Sequence, residues 1–147
     1  EDALAEYRKE NLGFVFQDYN LLDTLTIEEN IVLAMTLHSQ NRKEIRKKCD
    51  EILKLLQIDE IRDKFPYQVS GGQKQRCACA RALIHHPQLI LADEPTGNLD
   101  YQTGQEIMKL ICASRELYRQ TIVMVTHDMD SANYADRIVY MEDGALR

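Results

Sequence analysis

The sequence predicts an α/β protein in which a parallel β-sheet is combined with an α-helical subdomain. Three short apolar runs, LGFVF (12–16), LILA (89–92) and TIVMVT (121–126), are rich in branched or aromatic residues. Strands that are buried on both faces of a parallel sheet have this composition. Stretches with helical periodicity separate the runs, and the 147 residues are 44% hydrophobic, which is enough for the core of one domain.

The remaining elements follow in chain order. The acidic stretch at 1–10 is expected to be helical, and residues 26–37 open with a capping box formed by Thr26 and Glu29. Residues 41–56 and 101–118 carry apolar side chains at helical spacing, which predicts two further amphipathic helices. A fourth apolar run, RIVYM (137–141), resembles the first three and ends at the turn signal EDG.

Composition excludes several classes of protein. The net charge of -6 argues against a surface for nucleic-acid backbones, and no apolar run approaches the about 20 residues needed to cross a bilayer. Cys77 and Cys79 are close in sequence, but neighbours in a helix point in different directions. We therefore expect small buried thiols in a reducing cytoplasm rather than a metal or disulfide site.

Polar side chains follow each of the three predicted strands. Gln17 follows the first strand, Asp93 and Glu94 follow the second, and His127 follows the third. In open parallel sheets ligands bind beyond the carboxyl ends of the strands, so these side chains should converge on one edge. A single such residue often only ends a strand, but three coincident strand ends with complementary chemistry predict a functional site.

A second candidate site lies at VSGGQKQR (69–76). Ser70 is a good N-cap, Gly71 and Gly72 place bare amides in the first turn, and the helix is expected to run to His86, before Pro87. An uncovered helix N-terminus of this kind can bind an anion, although a simple turn before an amphipathic helix explains the same residues. None of the glycines in the chain is followed by lysine, so the usual phosphate-binding loop is missing from this sequence.

These motifs together resemble those of the ATP-binding cassette (ABC) ATPases. VSGGQKQR is similar to their signature motif, LILADEP to the Walker B strand, GNLD to the D-loop, VFQ to the Q-loop and VTHD to the switch histidine. The resemblance implies a P-loop NTPase fold, truncated so that the N-terminal strand and the Walker A loop lie outside these residues. It further implies a partial ATPase core at 1–18 and 87–147 and a helical subdomain at 19–86, which carries the signature motif.

The resemblance also implies catalytic roles in ATP hydrolysis. Asp93 should hold Mg²⁺ through water, and Glu94 should be the general base that activates the attacking water. Gln17 should complete the shell of the metal and the water, and His127 should contact the terminal phosphate. Without a Walker A loop, this stretch of chain alone is expected to bind Mg-ATP negligibly and to hydrolyse none.

In the resembled family two cassettes stack head to tail, with each ATP between the Walker A loop of one and the signature motif of the other. Ser70, Gly71, Gly72 and Gln73 should therefore bind the phosphate of an ATP held by a second ABC ATPase subunit, most simply a second copy of the same protein. Asp100, in the D-loop, should cross the interface between the two subunits.

Three kinds of cassette fit these motifs: the ATPase subunit of a membrane transporter, a DNA-repair or chromosome ATPase, and a tandem translation factor. The interval from Gln17 to Ser70 is too short for the long coiled coil of the DNA class, and the chain shows no internal repeat of the tandem kind. The transporter type implies an integral-membrane permease as partner, and a peripheral location on the cytoplasmic face of the membrane. The segment DYNLLDTLT (18–26) is expected to dock the permease through Tyr19 and the leucines Leu21, Leu22 and Leu25, although packing of these leucines under the helical subdomain as local core explains the same residues equally well.

Within the transporters, the resemblance is to the group that includes macrolide exporters, lipoprotein-release ATPases and bacitracin-type peptide exporters. The segments DYNLLDTLTIEEN and CACARAL are most similar to the bacitracin type. Export of an antimicrobial peptide or related amphiphile is therefore expected. Because the substrate is chosen by the permease, which is a separate chain, these residues leave the substrate open.

Overall fold

The computed structural model describes residues 2–147. Within this range the chain forms six α-helices, five strands and two short 3-10 helices, at Asp59–Ile61 and Pro66–Gln68. The helices are α1 (Asp2–Asn11), α2 (Ile27–Thr36), α3 (Arg42–Leu55), α4 (Gly71–Leu83), α5 (Tyr101–Tyr118) and α6 (Met129–Ala132). The strands are β1 (Leu12–Phe16), β2 (Leu89–Asp93), β3 (Thr121–Val125), β4 (Met141–Glu142) and β5 (Ala145–Leu146).

Strands β1, β2 and β3 form a parallel sheet in that order, which confirms the predicted strands and their direction. The pairing is in register from one end of the strands to the other, and Phe16, Asp93 and Val125 lie side by side at its carboxyl edge. The segments between the strands contain helices and return the chain to the same starting edge of the sheet each time. The segments after the three strands consequently leave the sheet at one edge.

The expectation that both faces of the sheet are buried is wrong for the residues described. Val15, Ile90 and Ala92 point into the core, where α4 packs against β1 and side chains of α5 join the same cluster. The opposite face exposes apolar side chains of the two outer strands, namely Phe14, Phe16, Val123 and Val125. A continuous apolar run does not distinguish a strand covered on both faces from one covered on a single face, because the run does not indicate which faces pack against helices.

The fourth apolar run adds no strand to the parallel sheet. Ile138, Val139 and Tyr140 are exposed, and among residues 2–147 no strand pairs with them in parallel. Tyr140 instead exchanges backbone hydrogen bonds with Arg147, which extends the small β4–β5 hairpin. The turn signal is confirmed, since the hairpin reverses at Asp143-Gly144, where both residues have the positive φ that a type I′ turn requires.

Helices α2 and α3 begin at the predicted caps. Thr26 Oγ1 accepts from the amide of Glu29, and the Glu29 carboxylate accepts from the amide of Thr26. Asn41 Oδ1 accepts from two amides of the first turn of α3. The inward faces of α2, α3 and α4 pack together, with Ile31 and Leu53 fully buried. The division into 1–18 with 87–147 and 19–86 stays a prediction, and residue 1 lies outside the described residues.

The cysteines behave as small apolar side chains. Cys49, Cys77 and Cys79 are buried, and burial raises the pKa of each thiol to about 12. Thiols that stay protonated are poor metal ligands. In the part of the chain that the structure describes, no three His, Cys, Asp or Glu side chains form a metal-binding group. Across residues 2–147, no helix has the combination of length and apolar character that a bilayer crossing needs.

His85 joins the C-terminal end of α4 to the start of β1. Its Nε2 donates to the carbonyl oxygen of Leu12 at 3.0 Å, and its ring stacks on that of His38 with the ring centres 4.4 Å apart. The buried Nδ1 has no partner among the described residues. Burial, with a smaller contribution from His38, lowers the pKa of His85 to about 4, so the ring is neutral in the folded chain at neutral pH.

This lowered pKa predicts that folding weakens in mild acid. Between pH about 6.5, the ordinary value for histidine, and about 4, the unfolded chain binds a proton at His85 that the folded chain does not bind. Stability should fall as the pH drops through this window, by up to about 1.4 kcal/mol per pH unit before solvent screening reduces it. Urea unfolding at pH 7 and pH 5 should show a smaller loss for His85→Gln than for the parental chain, and equal losses would contradict the prediction.

Candidate functional site

The polar side chains predicted to converge do lie at one edge of the sheet. The register pairs Phe16 with Asp93 and Asp93 with Val125. Gln17, Glu94 and the Thr126–His127 pair follow these three positions directly. The amide, the carboxylates and the imidazole therefore leave the sheet side by side, as expected from the strand ends alone.

Glu94 is held tightly at this edge by the segment after β3. Its amide donates to the carbonyl oxygen of Val125 at 2.9 Å, and its φ of 45° is left-handed, which is unusual for a residue other than glycine. Glu94 Oε1 accepts from the amide of His127 at 2.9 Å and lies 2.7 Å from Nδ1 of the same residue. Glu94 Oε2 accepts from the hydroxyl of Thr126 at 3.1 Å. Unusual backbone geometry that neighbours hold in place is common at functional sites.

The two partners of this pair differ in exposure. The Glu94 side chain is 17% exposed, whereas that of His127 is 84% exposed. An ionised carboxylate can only accept hydrogen bonds, so Nδ1 of His127 is the nitrogen that carries a proton and donates it in this bond. The ring therefore presents its Nε2 to solvent from the outer side of the pair.

Asp93 and Gln17 offer oxygen atoms beside Glu94. Asp93 is exposed at the end of β2, and its carboxylate makes no hydrogen bond within residues 2–147. The Gln17 amide nitrogen is engaged by Asn98, which leaves Gln17 Oε1 without a partner among the described residues. A carboxylate and an amide oxygen are ligands that suit Mg²⁺, which keeps several waters and is shared with substrate phosphates. The donor chemistry therefore fits the metal expected from the sequence.

The loop after Glu94 contains a residue that the sequence did not single out. Asn98 Oδ1 accepts from Gln17 Nε2 at 3.2 Å, and Asn98 Nδ2 donates to the carbonyl oxygen of Gln17 at 3.0 Å. Gly97 makes room for this contact, since a Cβ there would lie 2.5 Å from Gln17 Nε2. The resemblance of GNLD to the D-loop covered Asn98 but assigned a role only to Asp100, and a Gly-Asn pair usually indicates no more than a turn.

The N-terminus of α4 is built as the sequence predicted. Ser70 Oγ accepts from the amide of Gln73 at 3.2 Å, and Gln73 Oε1 accepts from the amide of Ser70 at 3.0 Å, a complete capping box. The amides of Gly71 and Gly72 precede the first intrahelical donor and have no acceptor within the helix. The side chain of Gln73 is engaged in the cap, so the first turn offers backbone amides and the Ser70 hydroxyl to an anion.

The signature residues do not meet the carboxylates within one chain. Among the described residues, no hydrogen bond joins Ser70 or Gln73 to Glu94 or His127. The connection is indirect, since the buried Gln75 of α4 donates its side-chain amide to the carbonyl oxygen of Pro95 at 2.5 Å. Gln75 therefore links α4 directly to the loop that follows Glu94.

Asp100 has a local structural role. It is the N-cap of α5, where Oδ1 accepts from the amide of Thr103 at 3.0 Å and Oδ2 accepts from the Thr103 hydroxyl at 2.6 Å. These hydrogen bonds lower the pKa of the Asp100 carboxyl. The capping role by itself accounts for an aspartate at this position. That Asp100 also crosses a subunit interface therefore stays a prediction.

The segment between Gln17 and α2 is fixed from two sides. Tyr19 and Asn20 both have positive φ, at 65° and 52°, and the guanidinium of Arg81 donates to both of their carbonyl oxygens. The buried side chain of Asn30 makes two hydrogen bonds to the backbone of Leu22. Its Oδ1 accepts from the amide of Leu22, and its Nδ2 donates to the carbonyl oxygen of Leu22. Leu22 is left 49% exposed on this fixed backbone.

The other predicted docking residues are less available. Leu21 packs against the core, and Leu25 is half-buried. Tyr19 is also half-buried, and its hydroxyl would lie 3.1 Å from a Cβ placed on Gly71. Of this segment, Leu22 is the exposed apolar side chain that a partner could cover.

Comparison with known proteins agrees with this geometry. The sequence profile of the ABC transporter family matches residues 2–97. The chain is 51% identical to the ABC transporter ATP-binding protein YvcR of Bacillus subtilis. The alignment spans 144 residues, which are 98% of this chain and 56% of that protein. It is 47% identical to the bacitracin export ATP-binding protein BceA of Halalkalibacterium halodurans, over 99% of this chain and 58% of that protein.

A solved structure gives the same result. The dimeric post-hydrolysis structure of the ATP-binding cassette MJ0796, bound to ADP and Pi, superposes with a TM-score of 0.86 at 41% identity. The match covers 99% of this chain and 65% of that one. The chain thus spans just over half the length of the curated relatives named above.

Proposed function

This chain belongs to the ABC transporter family of ATP-binding proteins, and we propose that it forms the catalytic and signature part of a subunit that hydrolyses ATP to drive export through a separate permease. One observation carries the proposal. The Glu94 carboxylate is fixed at the carboxyl edge of the sheet by His127 and Thr126, next to the exposed Asp93. A fixed carboxylate beside free oxygen ligands is the arrangement that metal-assisted hydrolysis of a phosphoanhydride needs.

Glu94 would act as the general base. The oxygen of a water forms a bond to the terminal phosphorus of ATP, while the bond from that phosphorus to the bridging oxygen breaks. The bridging oxygen keeps the electron pair and leaves with ADP, and the proton of the water passes to the Glu94 carboxylate. The three hydrogen bonds to Glu94 restrict its rotation, which lowers the entropic cost of aligning the base with the water.

His127 would both orient the base and contact the phosphate. Its Nδ1 donates to Glu94 Oε1, and its exposed Nε2 is the atom available to a phosphate oxygen. Both nitrogens are donors only when the ring carries both protons. A ring in that state would stabilise the negative charge that develops on the phosphate oxygens during transfer.

Asp93 and Gln17 are proposed to hold Mg²⁺ together with its waters. When bound, the metal supplies positive charge to the phosphate oxygens. Asp93 contributes an unpaired carboxylate, and Gln17 contributes Oε1, which Asn98 leaves free by engaging the nitrogen of the same amide. The hydrogen bond to Asn98 limits rotation of the Gln17 amide and so fixes where its oxygen lies.

The N-terminus of α4 is proposed to bind an ATP held by a second subunit. Gly71 and Gly72 present free amides, and Ser70 presents a hydroxyl, at the positive end of the helix dipole. The relative MJ0796 is a dimer in its structure with ADP and Pi. A head-to-tail pair, most simply two copies of this protein, explains why the signature residues and Glu94 do not touch within one chain.

The permease is proposed to dock on the exposed Leu22, and it would hold the subunit at the cytoplasmic face of the membrane. Arg81 and Asn30 fix the backbone there, so the segment can pass a movement to or from the permease without a change in its own conformation. The similarity to the bacitracin export protein supports an antimicrobial peptide or related amphiphile as the cargo. Similarity to the macrolide export protein MacB of Shewanella, 44% identical over 99% of this chain and 22% of that protein, keeps a macrolide-type cargo as the alternative.

Replacing the base tests the proposed function. In the full-length protein Glu94→Gln keeps the shape of the side chain but removes proton acceptance, so turnover should fall by roughly 10² to 10⁴. Affinity for ATP should stay within about twofold, because Glu94 acts on the water rather than on the bound nucleotide. Steady-state ATPase kinetics and nucleotide titration measure the two quantities.

The matched control is Glu116→Gln, which changes an exposed glutamate near the C-terminal end of α5. Its turnover should equal that of the parental protein. Parental turnover in Glu94→Gln would mean that another group activates the water.

A second prediction concerns docking. Leu22→Ser removes an exposed apolar side chain while the backbone bonds of Leu22 to Asn30 remain, so the fold should be unchanged. Burial of a leucine contributes roughly 1.5 to 3 kcal/mol, and partial burial should make the loss of permease affinity about five- to tenfold. Titration of the detergent-solubilised permease with labelled subunit measures the affinity.

Leu117→Ser is the control for this experiment, since Leu117 lies on α5 and is 61% exposed. It should leave the affinity for the permease unchanged. Equal affinities for the Leu22 variant and the parental subunit would place the permease contact elsewhere on the surface.

A further inference from the structure

The side chain of Gln17 lies across the backbone of the loop that follows Glu94. A Cβ on Gly97 would be 2.5 Å from Gln17 Nε2 and 2.9 Å from Gln17 Cδ, closer than real Cβ atoms approach. A side chain at this position would therefore push the Gln17 amide out of the place it occupies. Gln17 and Gly97 are 80 positions apart in the chain, so the fold, and not local sequence, creates this contact.

Asn98 closes the contact with a two-way exchange. Its Oδ1 accepts from Gln17 Nε2 at 3.2 Å, and its Nδ2 donates to the carbonyl oxygen of Gln17 at 3.0 Å and towards the Asp18 carboxylate at 3.4 Å. Rotating the Asn98 amide by half a turn would place its oxygen against two other oxygens. The orientation of Asn98 is therefore fixed by its partners, and through it that of the Gln17 amide.

The loop that carries Asn98 is anchored to Glu94. The amide of Gly97 donates to the carbonyl oxygen of Glu94 at 3.0 Å, and the amide of Leu99 donates to that of Thr96 at 3.1 Å. Asn98 thus sits in a short turn that begins at the proposed base. Hydrogen bonds from Gln17 to Asn98, and from the turn that carries Asn98 to Glu94, therefore link the position of Gln17 to that of Glu94.

We propose that Asn98 is a positioning residue, which holds the Gln17 amide in one orientation relative to the Glu94 carboxylate. This inference rests on the proposed ATPase function. Asn98 itself contacts neither the sheet-edge carboxylates nor the first turn of α4 through any hydrogen bond of the described residues. Loss of the Asn98 side chain should therefore reduce the rate of the chemical step and leave the affinity for ATP nearly unchanged.

A double-mutant cycle in the full-length protein tests this. Asn98→Ala should lower kcat by about three- to tenfold with KM for ATP within about twofold, and Gln17→Ala should lower kcat at least as much. The double variant should be no slower than Gln17→Ala alone, because Asn98 acts through Gln17. Gln102→Ala, which removes an exposed amide in the first turn of α5, is the control and should match the parental kcat.

A measurement without turnover tests the same contact. In ¹⁵N spectra, Asn98→Ala should shift the Gln17 side-chain amide resonance and speed the exchange of its protons, whereas Gln102→Ala should do neither. Asn98→Asp keeps the acceptor for Gln17 Nε2 but sets an oxygen against the Gln17 carbonyl and the Asp18 carboxylate. It should therefore also lower kcat, and it replaces the alanine variant in both measurements if that variant does not fold.

The outcomes separate the two proposals. If the parental protein hydrolyses no ATP, the proposed function fails, and the Gln17 resonance alone then decides whether Asn98 holds Gln17. If the parental protein is active, a parental kcat in the Asn98 variants would overturn the positioning role. An additive loss in the double variant would also overturn it, because Asn98 would then act independently of Gln17.

Discussion

The in-register pairing of three parallel strands is the constraint on which the rest of this molecule depends. Because Phe16, Asp93 and Val125 are neighbours, the residues after them leave the sheet together. A shift of one residue in any strand would turn its side chains to the opposite face. Burial of Val15, Ile90 and Ala92 on a single face opposes such a shift, so packing against the helices fixes the geometry of the proposed catalytic edge.

The edge is refined by contacts that the strands do not make themselves. Glu94 turns into the left-handed region, and its carboxylate is then held by Thr126 and His127 from the neighbouring strand end. The loop after Glu94 reaches back over Gly97 to the end of β1 through Asn98 and Gln17. Each of the three strand ends is consequently linked to another by side-chain hydrogen bonds, which gives the edge a defined shape before any substrate enters.

The sequence was sufficient for the features that arise from local order. Apolar runs gave the strands, Thr26 and Ser70 gave the helix starts, and the residues after the strands gave the edge where polar groups meet. It failed where the outcome depends on a distant neighbour. The run at 137–141 has the composition of a strand but forms no part of the parallel sheet, and the contact of Asn98 with Gln17 joins residues that no local pattern relates.

The central claim is that the segment after β3 holds the Glu94 carboxylate, and the protonation of the His127 ring tests it most directly. Because Glu94 Oε1 lies 2.7 Å from Nδ1, the neutral ring must carry its proton on Nδ1. Long-range ¹H–¹⁵N spectra of the parental chain should show the Nδ1-protonated ring, and this form should be lost in Glu94→Ala. A neutral ring protonated on Nε2 in the parental chain, unchanged by the substitution, would contradict the account.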